Sequence, residues 1–365
     1  MAAYGAAKPN AHWKFRHDRP WGDLTGNGAL VRDGGMHTPP SRSPRAGLQA
    51  MSSMRHAAVS LGSYARRMRD YLREMFPLPG HIVFALLAGS GIAGFTRTVH
   101  SVPGGISPGV VAGLTWNVLA MLLILRLMDE LKDKDIDRRL FPGRPLPSGR
   151  VRESDIRLSL GAMILLYLLA NSQARVPLVG ALIVLGYALL MFKRFFMPAR
   201  LEASLPLTLV THTPIVPLIW LQAFVTAGNG YGIALRDLRW ELIDLYVVML
   251  WSGVLGWELS RKIRAAEEED DYVTYSRILG RRGAVAAAAG AQSVSVLIGV
   301  TLNVRYGPGA ACLAIIGAGA AACALGYARF LRHPDPRTSK LKPFATMFLF
   351  ALLLAQVCSF ALAGP

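Results

Sequence analysis

Nine stretches of this chain, with approximate limits 80–99, 107–128, 155–172, 176–193, 203–225, 241–259, 284–303, 309–330 and 343–363, are apolar and almost free of charge. Each comes close to the ~20 residues that a helix needs to cross a bilayer's hydrocarbon layer. Inside that layer every backbone N–H and C=O must find a partner within its own segment, so runs of this kind can only be helices. The sequence therefore predicts an all-α, polytopic membrane protein, a bundle of nine transmembrane helices. A length of 365 residues with 52% hydrophobic content would equally suit one or two soluble domains. The distribution of the apolar residues, and not their amount, excludes that class.

The same distribution explains two features that point elsewhere when read alone. Cys312, Cys323 and Cys358 all lie inside apolar stretches, where they read as small packing residues and not as a disulfide or metal set. The net charge of +17 suggests nucleic acid, yet the basic residues border apolar stretches instead of forming one patch with interleaved aromatics. Lys and Arg crowd one set of flanks: Arg66 to Arg73, Lys132 to Arg157, Lys193 to Arg200, Arg261 to Arg282 and Arg329 to Lys342. The opposite flanks hold only Arg97, Arg175, Arg236, Arg239 and Arg305. By the positive-inside rule this predicts a cytoplasmic N-terminus and an outside C-terminus, in the plasma (inner) membrane, with the lipid bilayer as partner and no nucleic acid.

Three regions follow. Residues 1–62 are rich in Gly, Pro, Ser, Arg and His without apolar period and are expected to be a disordered cytoplasmic tail; no apolar signal core is present in them. Residues 63–78 form an amphipathic helix, with Met68, Tyr71, Leu72, Met75 and Phe76 at i, i+3, i+4, i+7 and i+8 among arginines. Such a helix is expected to lie in the membrane interface, the alternative being a helix that packs on cytoplasmic loops. Residues 79–365 form the transmembrane domain.

The chemistry concentrates in Asp129–Val151, DELKDKDIDRRLFPGRPLPSGRV. If the preceding helix continues through it, ~100° per residue puts Asp129, Glu130, Asp133 and Asp137 on one face together with Arg126, while Asp135 points away. Carboxylates ~6 Å apart repel by roughly 3 kcal/mol per pair at an effective dielectric of ~20, so the cluster calls for cations. All-oxygen ligands favour Mg²⁺, which usually takes one or two carboxylates and fills its shell with phosphate oxygens and water.

This stretch resembles the first signature of the UbiA superfamily of intramembrane prenyltransferases, Asn-Asp-x-x-Asp-x-x-x-Asp followed by Arg-Pro-Leu-Pro-Ser-Gly. Asp133, Asp137 and the run Arg144-Pro145-Leu146-Pro147-Ser148-Gly149 match in full, while Asp129 replaces the usual Asn and Glu130 the usual Asp. The second signature, Asp-x-x-x-Asp, is matched in spacing by Glu267 to Asp271, with Glu258 and Lys262 one turn apart upstream; taken alone, that run reads as a solvated face. Tyr187 to Arg194, YALLMFKR, resembles the family's Tyr segment ending in Lys-Arg, although positive-inside flanking also accounts for the two cations. The polar run Thr211-His212-Thr213-Pro214 inside the fifth span needs a cavity or a neighbouring helix to satisfy it.

The resemblance implies a nine-helix UbiA-like bundle in which Asp129, Glu130, Asp133, Asp137, Glu267 and Asp271 hold Mg²⁺, with Asp133, Asp137, Glu267 and Asp271 catalytic. It implies that Arg126, Lys132, Arg144, Lys193, Arg194 and Lys262 hold the diphosphate of an isoprenyl diphosphate, with His212, Tyr187 and Glu258 toward an acceptor or cavity. The expected reaction is prenyl transfer to an aromatic or other small acceptor. The alternative is a terpene cyclase, in which Trp116, Trp220, Trp251 and Trp257 supply aromatic faces to a carbocation. A transporter would want its acids at mid-depth, and no span carries a charge there.

Overall fold

The computed structural model describes residues 61–269, 274–307 and 309–362, and these are helical with no strand among them. The tail expectation therefore falls almost wholly outside the described residues, as do Asp270 and Asp271. The helices are α1 (61–75), α2 (Leu78–Val99), α3 (Pro108–Lys132), α4 (Lys134–Leu140), α5 (Glu153–Asn171), α6 (Arg175–Phe192), α7 (Pro198–Ala203), α8 (Leu205–His212), α9 (Ile215–Gly230), α10 (Trp240–Ser260), α11 (Tyr275–Tyr306), α12 (Ala310–Arg332) and α13 (Lys342–Leu362). Their starts carry local signals. Ser107 accepts a hydrogen bond from the Val110 N–H ahead of Pro108, Ser204 accepts from Leu207, and Thr274 accepts from Arg277.

Consecutive long helices pack against one another in the order α2, α3, α5, α6, α9, α10, α11, α12 and α13, and α13 packs back on α2. These nine long helices thus close into a ring among the described residues. Its interior is filled by a core in which Phe95, Phe224, Tyr246 and Phe360 are fully buried, with the Phe95 ring in contact with the other three. Among the described residues, eight helical segments are long and apolar enough to cross a membrane, with α8 and α9 counting as one. The ninth expected span, α5, takes its place in the ring but opens on Glu153, Asp155 and Arg157. Its uncharged part is shorter than the ~20 residues a full crossing takes.

Two of the spans depart from simple rods, and two others owe their close packing to glycine. The fifth span breaks at Thr213-Pro214, and the Tyr187 hydroxyl donates to the Thr211 carbonyl at 2.8 Å, giving the interrupted backbone a partner. α11 bends at Gly280, whose φ of 69° only glycine adopts without strain, so its transmembrane part starts after that residue. A β-carbon at Gly94 would stand 2.7 Å from Phe360 Cβ and one at Gly319 2.7 Å from Ala351 Cβ, so these glycines set the approach of α2 and α12 to α13. Gly317 has open space and takes no part in this packing.

The amphipathic face of α1 is packed on protein. Met68 and Tyr71 are buried with Leu127, Val151 and Ile156, so this helix rests on α3, α5 and the loop between α4 and α5.

Candidate active site at one end of the bundle

The acidic motif does not stay in one straight helix. α3 ends at Lys132, and Asp133 takes φ −101° and ψ 8°, a bridge conformation common at functional sites. The chain bends there while the Asp133 N–H still donates to the Asp129 carbonyl (2.9 Å) and the Asp137 N–H to the Asp133 carbonyl (2.8 Å). The bend replaces the single shared face with four different surroundings. Glu130 is 1% exposed and ion-paired with Arg126. Asp129, 48% exposed, meets Lys132 Nζ at 2.8 Å. Asp133, 39% exposed, lies 3.4 Å from Arg194 Nη2. Asp137 is buried under Arg144, whose Nη1 donates to both carboxylate oxygens at 2.8 Å. Asp135 points outward, as its place on the helix predicts, and among the described residues pairs with exposed Arg138.

The Arg-Pro-Leu-Pro-Ser-Gly run folds back on itself to make the Asp137 contact. Val151 N–H donates to the Pro145 carbonyl at 3.1 Å, the Ser148 hydroxyl donates to the same carbonyl at 3.2 Å, and Gly149 turns the chain with φ 77°. Arg144 is thereby held over the Phe141 ring, 4.0 Å from its centroid, with its guanidinium on Asp137.

Arg194 reaches the motif from the far end of α6. Three successive residues there, Arg194, Phe195 and Phe196, have φ of 49°, 49° and 57°, left-handed values that side chains other than glycine rarely adopt. The turn they make lets Arg194 Nη2 donate to the Lys132 carbonyl at 3.3 Å as well as approach Asp133. It also places the Phe195 ring between Tyr187 and His212, at centroid distances of 5.6 and 5.9 Å. Lys193 stays exposed beside Phe192. His212 hydrogen-bonds Thr211 Oγ1 at 3.1 Å and lies in the field of Lys132, Asp129 and Lys262.

Lys262 is the link to the second segment. Its ammonium lies 3.3 Å from Glu258, which Arg261 also holds at 2.8 Å. Glu267, the first acid of the second signature, sits exposed in a single 3-10 turn, Ala266–Glu268. Its two acidic neighbours turn inward instead. Glu268 accepts from the Ala265 N–H at 3.2 Å and from the Ser339 hydroxyl, and Glu269 accepts from the Thr274 hydroxyl at 2.7 Å and the Ser276 hydroxyl at 2.6 Å. The structure therefore brings together Asp129, Glu130, Asp133, Asp137, Arg126, Lys132, Arg144 and Arg194, with Tyr187, His212 and Lys262 beside them. It leaves Lys193 and Glu267 exposed.

Two neighbours have no signal in the sequence. Tyr71 of α1 is fully buried beside Arg126, and Phe195 lies between the two aromatic side chains named from the sequence. Amphipathic spacing marks Tyr71 as apolar-facing, but nothing local says which charged group it meets.

Burial pushes the Asp133 carboxyl above the usual carboxylate range. The negative charges of Asp129 and Asp137 push the same way, and Lys132 and Arg194 push back. Among the described residues no three His, Cys, Asp or Glu side chains converge on one point. The donors that remain open are two half-exposed carboxylates one turn apart, Asp129 and Asp133, with oxygen as the only ligand atom. That set fits a hard divalent cation that takes one or two carboxylates and leaves its other positions to phosphate and water.

No protein-family model and no curated protein sequence matches the chain. Solved structures do. A structure of a digeranylgeranylglyceryl phosphate synthase in membranes aligns with a TM-score of 0.52 at 16% identity, covering 81% of this chain and 99% of that one. The apo structure of a UbiA homolog from Aeropyrum pernix K1 aligns with a TM-score of 0.53 at 19% identity, covering 76% of this chain and 95% of that one. The closed ring of helices thus shares its fold with these two solved structures.

Proposed function

We propose that this protein is a Mg²⁺-dependent intramembrane prenyltransferase that ionises an isoprenyl diphosphate and passes the prenyl group to an aromatic or other small acceptor. The observation that carries the reading is the contact of Arg194 with Asp133, which joins the Lys-Arg segment to the acidic motif from 61 residues away. Each carboxylate of the motif already has a cation: Arg126 on Glu130, Lys132 on Asp129, Arg194 on Asp133 and Arg144 on Asp137. A diphosphate entering such a self-neutralised site competes for those cations and would strand the carboxylates, unless a divalent cation takes them. Asp129 and Asp133 are the residues that would hold Mg²⁺, and when bound it would supply that compensation and offset charge on the diphosphate.

The chain's own residues do the rest. Lys132 and Arg194 turn toward the diphosphate, Arg194 as a fork and Lys132 as a point charge, with Lys262 across the opening. Cleavage of the allylic C–O bond leaves both electrons on the diphosphate and a carbocation on the prenyl chain, which extends among the apolar helices. A nucleophilic carbon or heteroatom of the acceptor then attacks the cation and loses a proton. Tyr187, Phe195 and His212 form the aromatic wall nearest the motif, suited to stack a planar acceptor. Glu258 is held by Arg261 and Lys262 and acts through Lys262. The buried rings of Phe95, Phe224, Tyr246 and Phe360 lie near the opposite helix ends, away from the bond that breaks.

Purified protein given Mg²⁺ and prenyl diphosphates of several lengths without acceptor should make little cyclic hydrocarbon. Abundant cyclic terpene, lost in Asp133→Ala, would convert the reading to a cyclase, and no diphosphate release under any condition would remove it.

Orientation is tested separately. We place the motif-bearing end in the cytoplasm and the membrane as the plasma membrane. Cysteines introduced at exposed Ser148 and Asn229 should label from the inside and the outside respectively. Labelling of both from one side contradicts this topology.

A further inference from the structure

α1 is bound to the motif-bearing end of the bundle at three separate points. Arg67 Nε and Nη2 donate to the two oxygens of Asp155 at 2.6 and 2.8 Å, and Asp155 in turn accepts from the Arg152 N–H at 3.1 Å at the start of α5. Arg150 donates to both oxygens of Glu74 at 2.7 and 3.1 Å while its Nη2 also donates to the Gly143 carbonyl at 2.6 Å, next to Arg144. The Tyr64 and Ser159 hydroxyls are 2.7 Å apart. Between these anchors Tyr71 is driven fully into the protein, where its hydroxyl faces the Arg126 guanidinium and the Glu130 carboxylate.

The arrangement has features that simple helix packing does not call for. Tyr71 Oη, Arg126 Nε and Glu130 Oε2 are all buried and none closes a regular hydrogen bond, so each is left with capacity that the other two can satisfy by a small shift. Glu130 is the residue at which the motif carries a longer acid, and the extra methylene reaches Arg126 one turn back on α3. A carboxylate this deeply enclosed and already paired cannot also face the opening where Asp129 and Asp133 stand. A buried ion pair adds little net stability over apolar packing but is strongly specific in geometry.

We propose that Tyr71, Arg126 and Glu130 form a positioning triad through which α1, acting as a fixed strap, sets the end of α3 so that Asp129 and Asp133 present to the substrate, and that Glu130 lies outside the metal shell. The inference rests on the metal and diphosphate reading above and refines it. Arg126 and Glu130 hold each other and the strap, and the phosphate- and cation-binding work falls to the residues at the bend.

The test uses the full chain in lipid nanodiscs. Asp133→Asn should raise the Mg²⁺ concentration for half-maximal diphosphate release by about ten-fold or more. Glu130→Gln and Tyr71→Phe should each lower kcat by about five- to ten-fold with that Mg²⁺ concentration moved less than about two-fold. A Glu130→Gln shift in Mg²⁺ requirement as large as that of Asp133→Asn would make Glu130 a ligand and overturn the proposal. Two readouts do not need turnover. The fall in thermal midpoint from Tyr71→Phe should vanish in the Glu130→Gln background, and independent, additive effects would break the triad. Arg67→Cys with Asp155→Cys, bridged by a bifunctional thiol reagent of about the length of the lost ion pair, should keep the activity of the unbridged double variant; loss of activity on bridging would show that α1 must move. Failure of Mg²⁺ dependence in the unmodified protein would sink the metal reading itself, while the thermal cycle and the cross-linking yield still judge the strap.

Discussion

Asp133→Ala is expected to lower Mg²⁺-dependent diphosphate release by a factor of about 10³, the upper end of what removing one charge-stabilising group costs. Asp133 is the residue at which α3 bends, it is half-exposed, and it holds Arg194 in place across the opening. Its removal takes away one of two open carboxylates and the charge that the Arg194 guanidinium meets on the motif. Asp135→Ala is the control: two residues away, 78% exposed and paired only with a surface arginine, it should leave turnover within about two-fold of normal. Diphosphate release and the thermal midpoint should be followed together. Near-normal turnover in a folded Asp133→Ala protein would remove the centre of the functional reading.

The second large effect is on the motif loop. Arg144→Ala strands the buried Asp137 carboxylate, and breaking a buried pair costs about 3–5 kcal/mol; because Arg144 keeps 34% of its side chain exposed, the lower part of that range applies. The loss should appear as a lower thermal midpoint in lipid or detergent. Asp137→Asn added to Arg144→Ala should recover much of it, since the stranded charge is then gone, without recovering activity. An Arg144→Ala protein that melts like the unmodified one would show that this pair does not hold the Arg144–Gly149 turn.

The membrane-spanning plan was legible in the sequence because the requirement behind it is local. Each apolar run must satisfy its own backbone, so 80–99 and 176–193 could be read without their neighbours, and they fold as Leu78–Val99 and Arg175–Phe192. The interruption at Thr213-Pro214 was readable for the same reason, since proline cannot supply the helical N–H. The acidic motif and its companion Lys-Arg pair were visible as residue types, and the outward direction of Asp135 followed from helical spacing alone.

The pairs within α3, Arg126 with Glu130 and Lys132 with Asp129, follow helical spacing, but the partners of Asp133 and Asp137 were decided only by the tertiary structure. The bend at Asp133 sends Asp137 under Arg144 and leaves Asp133 to Arg194 of a distant segment, and the energies that choose among such pairings depend on distances set by other segments. α1 shows the same division. Its spacing marks an apolar face, but whether that face meets lipid or protein depends on Leu127, Val151 and Ile156, and the place of the Tyr71 hydroxyl depends on Arg126, all distant in sequence. The left-handed turn at Arg194–Phe196 has no glycine to announce it. Its strained backbone is held by contacts with α3 and with His212, and so it exists only once the ring of helices has closed.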